Sequence, residues 1–323
     1  MKLFISFLSA PASARPLAAL RLSISTVLFL QAFLVSGHLF ELYGNSGFFQ
    51  GDLNAYLIGP LKPRVQWFTA LGAKYGMTDE MGVTVFFLGY VVSLSFLAIG
   101  WRTRLAAVIA WFTHFILILN SGHLSSYGAD AFSHVLLFYF MFMAVGDALS
   151  LDSYFGTRSD VPSAGKRLWL RLLQTHVGIS YLTSGIAKAK GASWWNGEAI
   201  WRAVHLPEFQ QFDLSFLAYL PWVTVLVAWG TLIIEMGYPF FIWPRQSRKL
   251  WICLTVALHL SIILFLGLLT FSLIMISLTV CLFRINAEPS AKLDRERRGI
   301  DGIGYEVLGN PALPVCRMLV TSL

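Results

Sequence analysis

The stretch that decides the fold is Tyr181-Leu182-Thr183-Ser184-Gly185-Ile186-Ala187-Lys188, followed closely by Trp194-Trp195-Asn196-Gly197. It ends an apolar run on a lysine and a tryptophan pair, and tryptophan collects where a membrane meets water. Charge inside or at the edge of a bilayer is costly, so an ionisable side chain there is by default a candidate for function. The plainer alternative is a lysine whose aliphatic stem snorkels to the headgroups. Gln174, Tyr181 and Lys188 recur every seven residues with Ser184 at the steps between, which sets them on one helical face. A face that polar is expected to look into protein rather than lipid.

The rest of the chain agrees with a membrane setting. Of its 323 residues, 56% are hydrophobic and 13% charged, with a mean hydropathy of +0.65, whereas a soluble domain carries about 25% charged residues. This reads as an all-α polytopic integral membrane protein surrounded by membrane lipid. The net charge of +7 does not point to nucleic acid, because the basic residues sit in short clusters between apolar runs, where they set orientation. Cys253, Cys281 and Cys316 are too few and scattered for a disulfide framework, and no CxxC or Cys/His spacing predicts a metal.

Runs long enough for a bilayer, which needs about 20 apolar residues, fall at 17–36, 82–100, 105–120, 131–148, 168–187, 221–243, 250–267 and 269–285. Eight transmembrane helices are predicted, or seven if one of the two short runs, the third and the last, fails to cross. The chain divides into a short N-terminal segment (1–16), the helical domain (17–285) and a basic tail (286–323). Arg102 and Arg104, then Arg158, Lys166 and Arg167, then Arg245, Arg248 and Lys249, then the tail all fall on one side. That places both termini in the cytoplasm of a cell-membrane protein. Leu3 to Leu8 followed by Ala12-Ser13-Ala14 resembles a short signal peptide, but a full-length span follows at once, so it is expected to stay uncleaved. The long segments 37–81 and 188–220 then face outward, and with them any chemistry at Lys188.

His114, His176, Glu235 and His259 share one predicted depth, roughly 12 to 14 Å into their helices. Glu235 and His259 flank one hairpin at equal distance, so a structural contact between them is the first expectation. A metal site or proton relay among the four is the sharper reading, although none shows the i,i+4 spacing of helical metal motifs. No G-x-S-x-G elbow, Walker loop or dinucleotide fingerprint occurs, which excludes the common hydrolase and NTPase designs. A transporter would want broken helices, for which only Pro221 and Pro239 speak.

With these residues in view, the chain resembles the membrane domain of the vitamin K-dependent gamma-carboxylase family, the HTTM group. Gly100-Trp101-Arg102-Thr103-Arg104, Gly146-Asp147-Ala148-Leu149-Ser150-Leu151-Asp152 and the Tyr181 to Gly197 stretch carry the resemblance, with Glu235, His259, Gly267 and Phe271. It implies a lyase that oxidises reduced vitamin K or another isoprenoid quinone, with Lys188 as the catalytic base and Tyr181, Glu235 and His259 beside the cofactor. Desolvation disfavours an ammonium, so an amine held partly out of water can take a proton. The implied partner is a small secreted peptide modified on the extracytoplasmic side. A second expectation is a non-catalytic membrane factor for maturation or export of a secreted peptide or toxin, in which Lys188 only snorkels.

Overall fold

A computed structural model describes residues 2–48, 51–59, 61–285 and 287. It is all-helical among those residues, and its compact unit runs from Met1 to Ala287. The predicted tail, apart from Ala287, lies outside the described residues, as does Cys316.

A helix occupies every predicted run. In chain order these are α1 (Arg15–Val35), α2 (Asp79–Ile99), α3 (Thr103–His114), α4 (Gly128–Phe142), α5 (Ala164–Ala189), α6 (Pro221–Phe241), α7 (Arg245–Leu266) and α8 (Leu269–Phe283). Five segments are long and apolar enough to cross a membrane: Arg15–Tyr43, Asp79–Ile99, Thr103–Ser121, Pro221–Phe241 and Arg245–Leu266. α4 and α8 are shorter apolar helices. α5 spans 26 residues, but Lys166, Arg167 and Arg171 near one end and Lys188 at the other dilute its apolar run.

The ends of these helices follow local chemistry. Thr78 and Ser163 cap α2 and α5 through their side chains, Pro221 opens α6, and Gly100 and Gly267 close α2 and α7 in the left-handed conformation. Sequential helices pack as neighbours from α1 to α4 and from α5 to α8, with short helices in the connections between α1 and α2 and between α5 and α6. α8 joins the two halves by packing against α1 and α4, and it also packs on α5 within its own half.

The basic loops meet at one end of the bundle. Asp152 accepts hydrogen bonds from the backbone N–H groups of Arg102 and Thr103 at 2.8 and 2.9 Å and from the Thr103 hydroxyl at 2.7 Å. Lys166 pairs with Asp147 at 3.0 Å, and Asp160 accepts from Ser13 Oγ and from the Ala14 N–H, each at 2.6 Å. The helix Lys2–Ser9 lies against α5, where Arg171 stands 3.9 Å over the Phe7 ring. So the chain start, the 100–104 loop and the 147–163 loop share an end, and Lys188 stands at the opposite end of α5.

Candidate functional site

Lys188 does not hang free. Its Nζ donates to both Glu235 carboxylate oxygens, at 2.9 and 2.8 Å, and to Ser184 Oγ at 2.5 Å. The Glu235 side chain is 10% exposed and that of Lys188 25%, so the pair is largely screened from solvent. Trp194 covers it, with its ring centroid 5.5 Å from Nζ, a distance at which the ring face attracts a cation.

Small residues make the meeting of α5 and α6 possible. A Cβ at Gly185 would lie 2.6 Å from Met236 Cγ and 3.2 Å from Glu235 Cβ, so only glycine lets α6 come close enough. At Gly197 (φ +81°) a Cβ would meet the Val225 N–H at 2.6 Å. The tryptophan segment therefore lies directly on α6, held by Trp229 Nε1 donating to the Trp195 carbonyl at 3.1 Å.

Two turns deeper on α5, the Tyr181 hydroxyl hydrogen-bonds His259 Nε2 at 2.7 Å. Tyr181 stacks on Tyr238 with centroids 4.2 Å apart, and His259 meets Phe271 edge-on at 5.7 Å. His259 is 2% exposed, and its Nδ1 has no hydrogen-bond partner. Gln174 continues the same face of α5 and donates to the Leu282 carbonyl at 2.6 Å. The seven-residue spacing thus does turn this face inward.

Other expectations are corrected. Glu235 and His259 do not serve as each other's partner: each takes one from α5, because that helix brings a cation to the first and a phenol to the second. The four groups at one depth do not form one centre either. His176 bonds Tyr139 at 2.9 Å, and His114 packs against Tyr90 and His134. No set of three or more His, Cys, Asp or Glu side chains among the described residues is arranged to hold a metal.

Sequence reading missed Arg21. This arginine of α1 is fully buried, its Nη2 donates to the Leu149 carbonyl, and a Cβ at Gly100 would fall on its Nη1. It ties α1 to the junction where the two signature loops cross. Leu149 (φ +49°) and Arg102 (φ +44°) are the two non-glycine residues there in the left-handed region. A lone arginine in an apolar run was the available signal.

A helical membrane bundle that closes a lysine–carboxylate pair beneath a tryptophan-bearing segment is the class that fold and site define. The HTTM domain model matches residues 64–286, and the chain belongs to that family, the domain family of vitamin K-dependent carboxylase-like proteins. It is also 23% identical over 219 residues, 64% of this chain and 68% of the relative, to the uncharacterised protein YitO of Bacillus subtilis. No solved structure matches.

Proposed function

We propose that this is a quinol-dependent membrane enzyme with eight spans and both termini in the cytoplasm, whose site on the extracytoplasmic side modifies a secreted peptide. The observation that carries it is the Lys188–Glu235 pair, held at a helix end, with a buried aromatic cluster on the same helix face that leaves one hydrogen-bonding atom, His259 Nδ1, unused.

The residues present suit a reduced isoprenoid quinone such as reduced vitamin K. His259 Nδ1 is a buried, unpartnered polar atom beside aromatic rings, the pairing of flat apolar wall and single polar contact that a quinone ring requires. Tyr181, His259 and Phe271 would hold the ring. When bound, the quinol supplies reducing equivalents and an ionisable hydroxyl. Lys188 would take that hydroxyl proton at Nζ. Before it does so, it must shed a proton of its own, and Glu235 offers an acceptor 2.8 Å away. Glu235 also fixes the amine from two oxygens, and Trp194 keeps water from that side.

The test is quinol consumption by purified protein supplied with reduced quinone and oxygen. Lys188→Ala and Lys188→Arg should both abolish it, since arginine keeps the charge but does not give up a proton near neutral pH. An active Arg variant would refute proton abstraction, and an active Ala variant any catalytic role.

One observation favours the second reading. All three acceptors around Lys188 are satisfied by it, which suits a helix clamp in a non-catalytic maturation or export factor. In that case Lys188→Met combined with Glu235→Leu should keep peptide maturation intact.

A further inference from the structure

The end of the bundle opposite Lys188 is built where two loops cross. The Asp152 N–H donates to the Gly100 carbonyl at 2.9 Å, and a Cβ at Gly100 would meet Ser150 Cα at 2.8 Å, so the 100–104 and 147–158 segments lie in direct contact. The acidic side chains there are turned inward and used. Asp147, Asp152 and Asp160 are the acidic residues of segments 100–104 and 146–167. Asp152 accepts from the Arg102 and Thr103 N–H groups, Asp147 pairs with Lys166 at 3.0 Å and Arg158 at 3.9 Å, and Asp160 takes Ser13, Ala14 and Lys166. Arg102 and Arg104 are left over. Both are exposed, and neither guanidinium has a hydrogen bond or ion pair among the described residues.

Apolar side chains, not carboxylates, accompany these two cations at the surface. Tyr154 is 81% exposed, Phe155 66%, Leu149 59% and Trp101 42%, and large apolar side chains exposed together mark an interaction surface. Leu149 is held in the left-handed region at φ +49°, where a residue with a side chain is disfavoured. Its carbonyl accepts from the buried Arg21 Nη2 while its side chain is left exposed, and backbone strain of this kind collects at functional positions. Trp101 and Tyr154 are of the residue types that settle at the level of lipid headgroups. Free guanidiniums suit the phosphate group, which they can grip through two parallel hydrogen bonds. A water-borne phosphate would use the arginines and leave the apolar side chains in water. A phosphate that carries hydrocarbon uses both.

We propose that the crossing of the 100–104 and 147–158 loops is a docking site for an anionic phospholipid. Arg102 and Arg104 hold its headgroup phosphate, while Leu149, Tyr154 and Phe155 enter the membrane around its glycerol and upper acyl chains. The charge balance selects an anionic lipid, because no acidic side chain of the two loops is free to offset the arginines and a zwitterionic headgroup brings a cation of its own. The site is independent of the role given to Lys188.

Native mass spectrometry of the delipidated full-length protein in detergent tests this, titrated with dioleoylphosphatidylglycerol and, separately, with dioleoylphosphatidylcholine, which has the same chains. Wild type should prefer the anionic lipid. Arg102→Gln combined with Arg104→Gln should weaken phosphatidylglycerol binding on the order of 30-fold, about fivefold for each charge placed near anionic headgroups, and leave phosphatidylcholine binding unchanged. Arg245→Gln combined with Lys249→Gln, which removes two exposed basic residues elsewhere, should leave phosphatidylglycerol binding in place. Leu149→Gly relieves the backbone strain and removes the apolar contact. It should weaken phosphatidylglycerol binding several-fold without lowering the melting temperature, and it serves if the arginine variant does not fold. Equal binding of the two lipids by wild type, an equal loss in the two basic-residue variants, or displacement of the lipid by millimolar inorganic phosphate would overturn the proposal. So would a Leu149→Gly protein that binds phosphatidylglycerol as wild type does.

Discussion

Lys188 and Glu235 meet across α5 and α6 with both carboxylate oxygens within 2.9 Å of one ammonium nitrogen. Two charges so screened from water depend on each other, because either left alone would be an uncompensated charge in a poor solvent. Glu235→Gln or Lys188→Met alone should therefore cost on the order of 2 to 4 kcal/mol of stability. Replacing both with Leu and Met should recover most of it. A double-mutant cycle by thermal unfolding in detergent checks this, and additive losses would show that the pair is not coupled.

Gly185 and Gly178 lie two turns apart on α5 and make opposite predictions. A Cβ at Gly185 would press on Met236 at 2.6 Å, whereas at Gly178 it would rest 3.5 Å from Pro239, an ordinary contact. Gly185→Ala should push α6 outward, lower the unfolding temperature and loosen the Lys188 contact, with overpacking costing about 1 to 3 kcal/mol. Gly178→Ala should be close to neutral. Thermal melts of the two variants side by side decide it.

Much of this was legible in the sequence. Apolar run length located the eight longer helices, because a bilayer-length run has few alternatives to a helix, but not the shorter ones of the outer segments such as Gly51–Ile58, Val65–Gly72 and Glu198–His205. The Gln174, Tyr181, Lys188 face was legible for the same reason, since side-chain spacing within one helix is fixed by helical geometry. Contacts between helices were not. The expected Glu235–His259 pair used height along a hairpin, but a partner is chosen by rotation about each helix axis, and that is set by small residues such as Gly185 and by α5 wedging against α6. Arg21 stayed hidden because its partner, the Leu149 carbonyl, is a backbone atom with no residue-type signature.

Tyr181 and His259 allow a cleaner test of the proposed quinone contacts than Lys188 does. Tyr181→Phe keeps the stacking on Tyr238 but leaves His259 Nε2 unmet, and an unsatisfied buried polar atom costs about 1 to 3 kcal/mol. The variant should melt lower and raise the quinol concentration needed for half-maximal turnover, with the maximal rate less affected. Steady-state quinol oxidation measures both. A change in maximal rate alone would remove Tyr181 from cofactor binding.

Asp152 predicts how the opposite end responds to acid. Burial raises the proton affinity of this carboxylate, but the backbone and hydroxyl hydrogens of Thr103, the Arg102 N–H and the charge of Arg158 outweigh it and hold it below the ordinary carboxylate value. A group depressed by folding contributes its stability fully above the unfolded value, about 3.9, and loses it as pH falls through the lower folded value. The wild-type melting temperature should therefore drop as the pH is taken from about 5 to about 3, and Asp152→Asn should start lower at neutral pH and show a shallower acid drop. Gly100→Ala should mimic the neutral-pH loss without flattening the acid slope. At φ +72° a side chain is strained whatever the space, and the added methyl would displace Arg21 while leaving the Asp152 carboxylate to titrate. Melts of the three proteins across that pH range separate the charge from the packing: parallel acid slopes in wild type and Asp152→Asn would mean that another carboxylate governs the acid response.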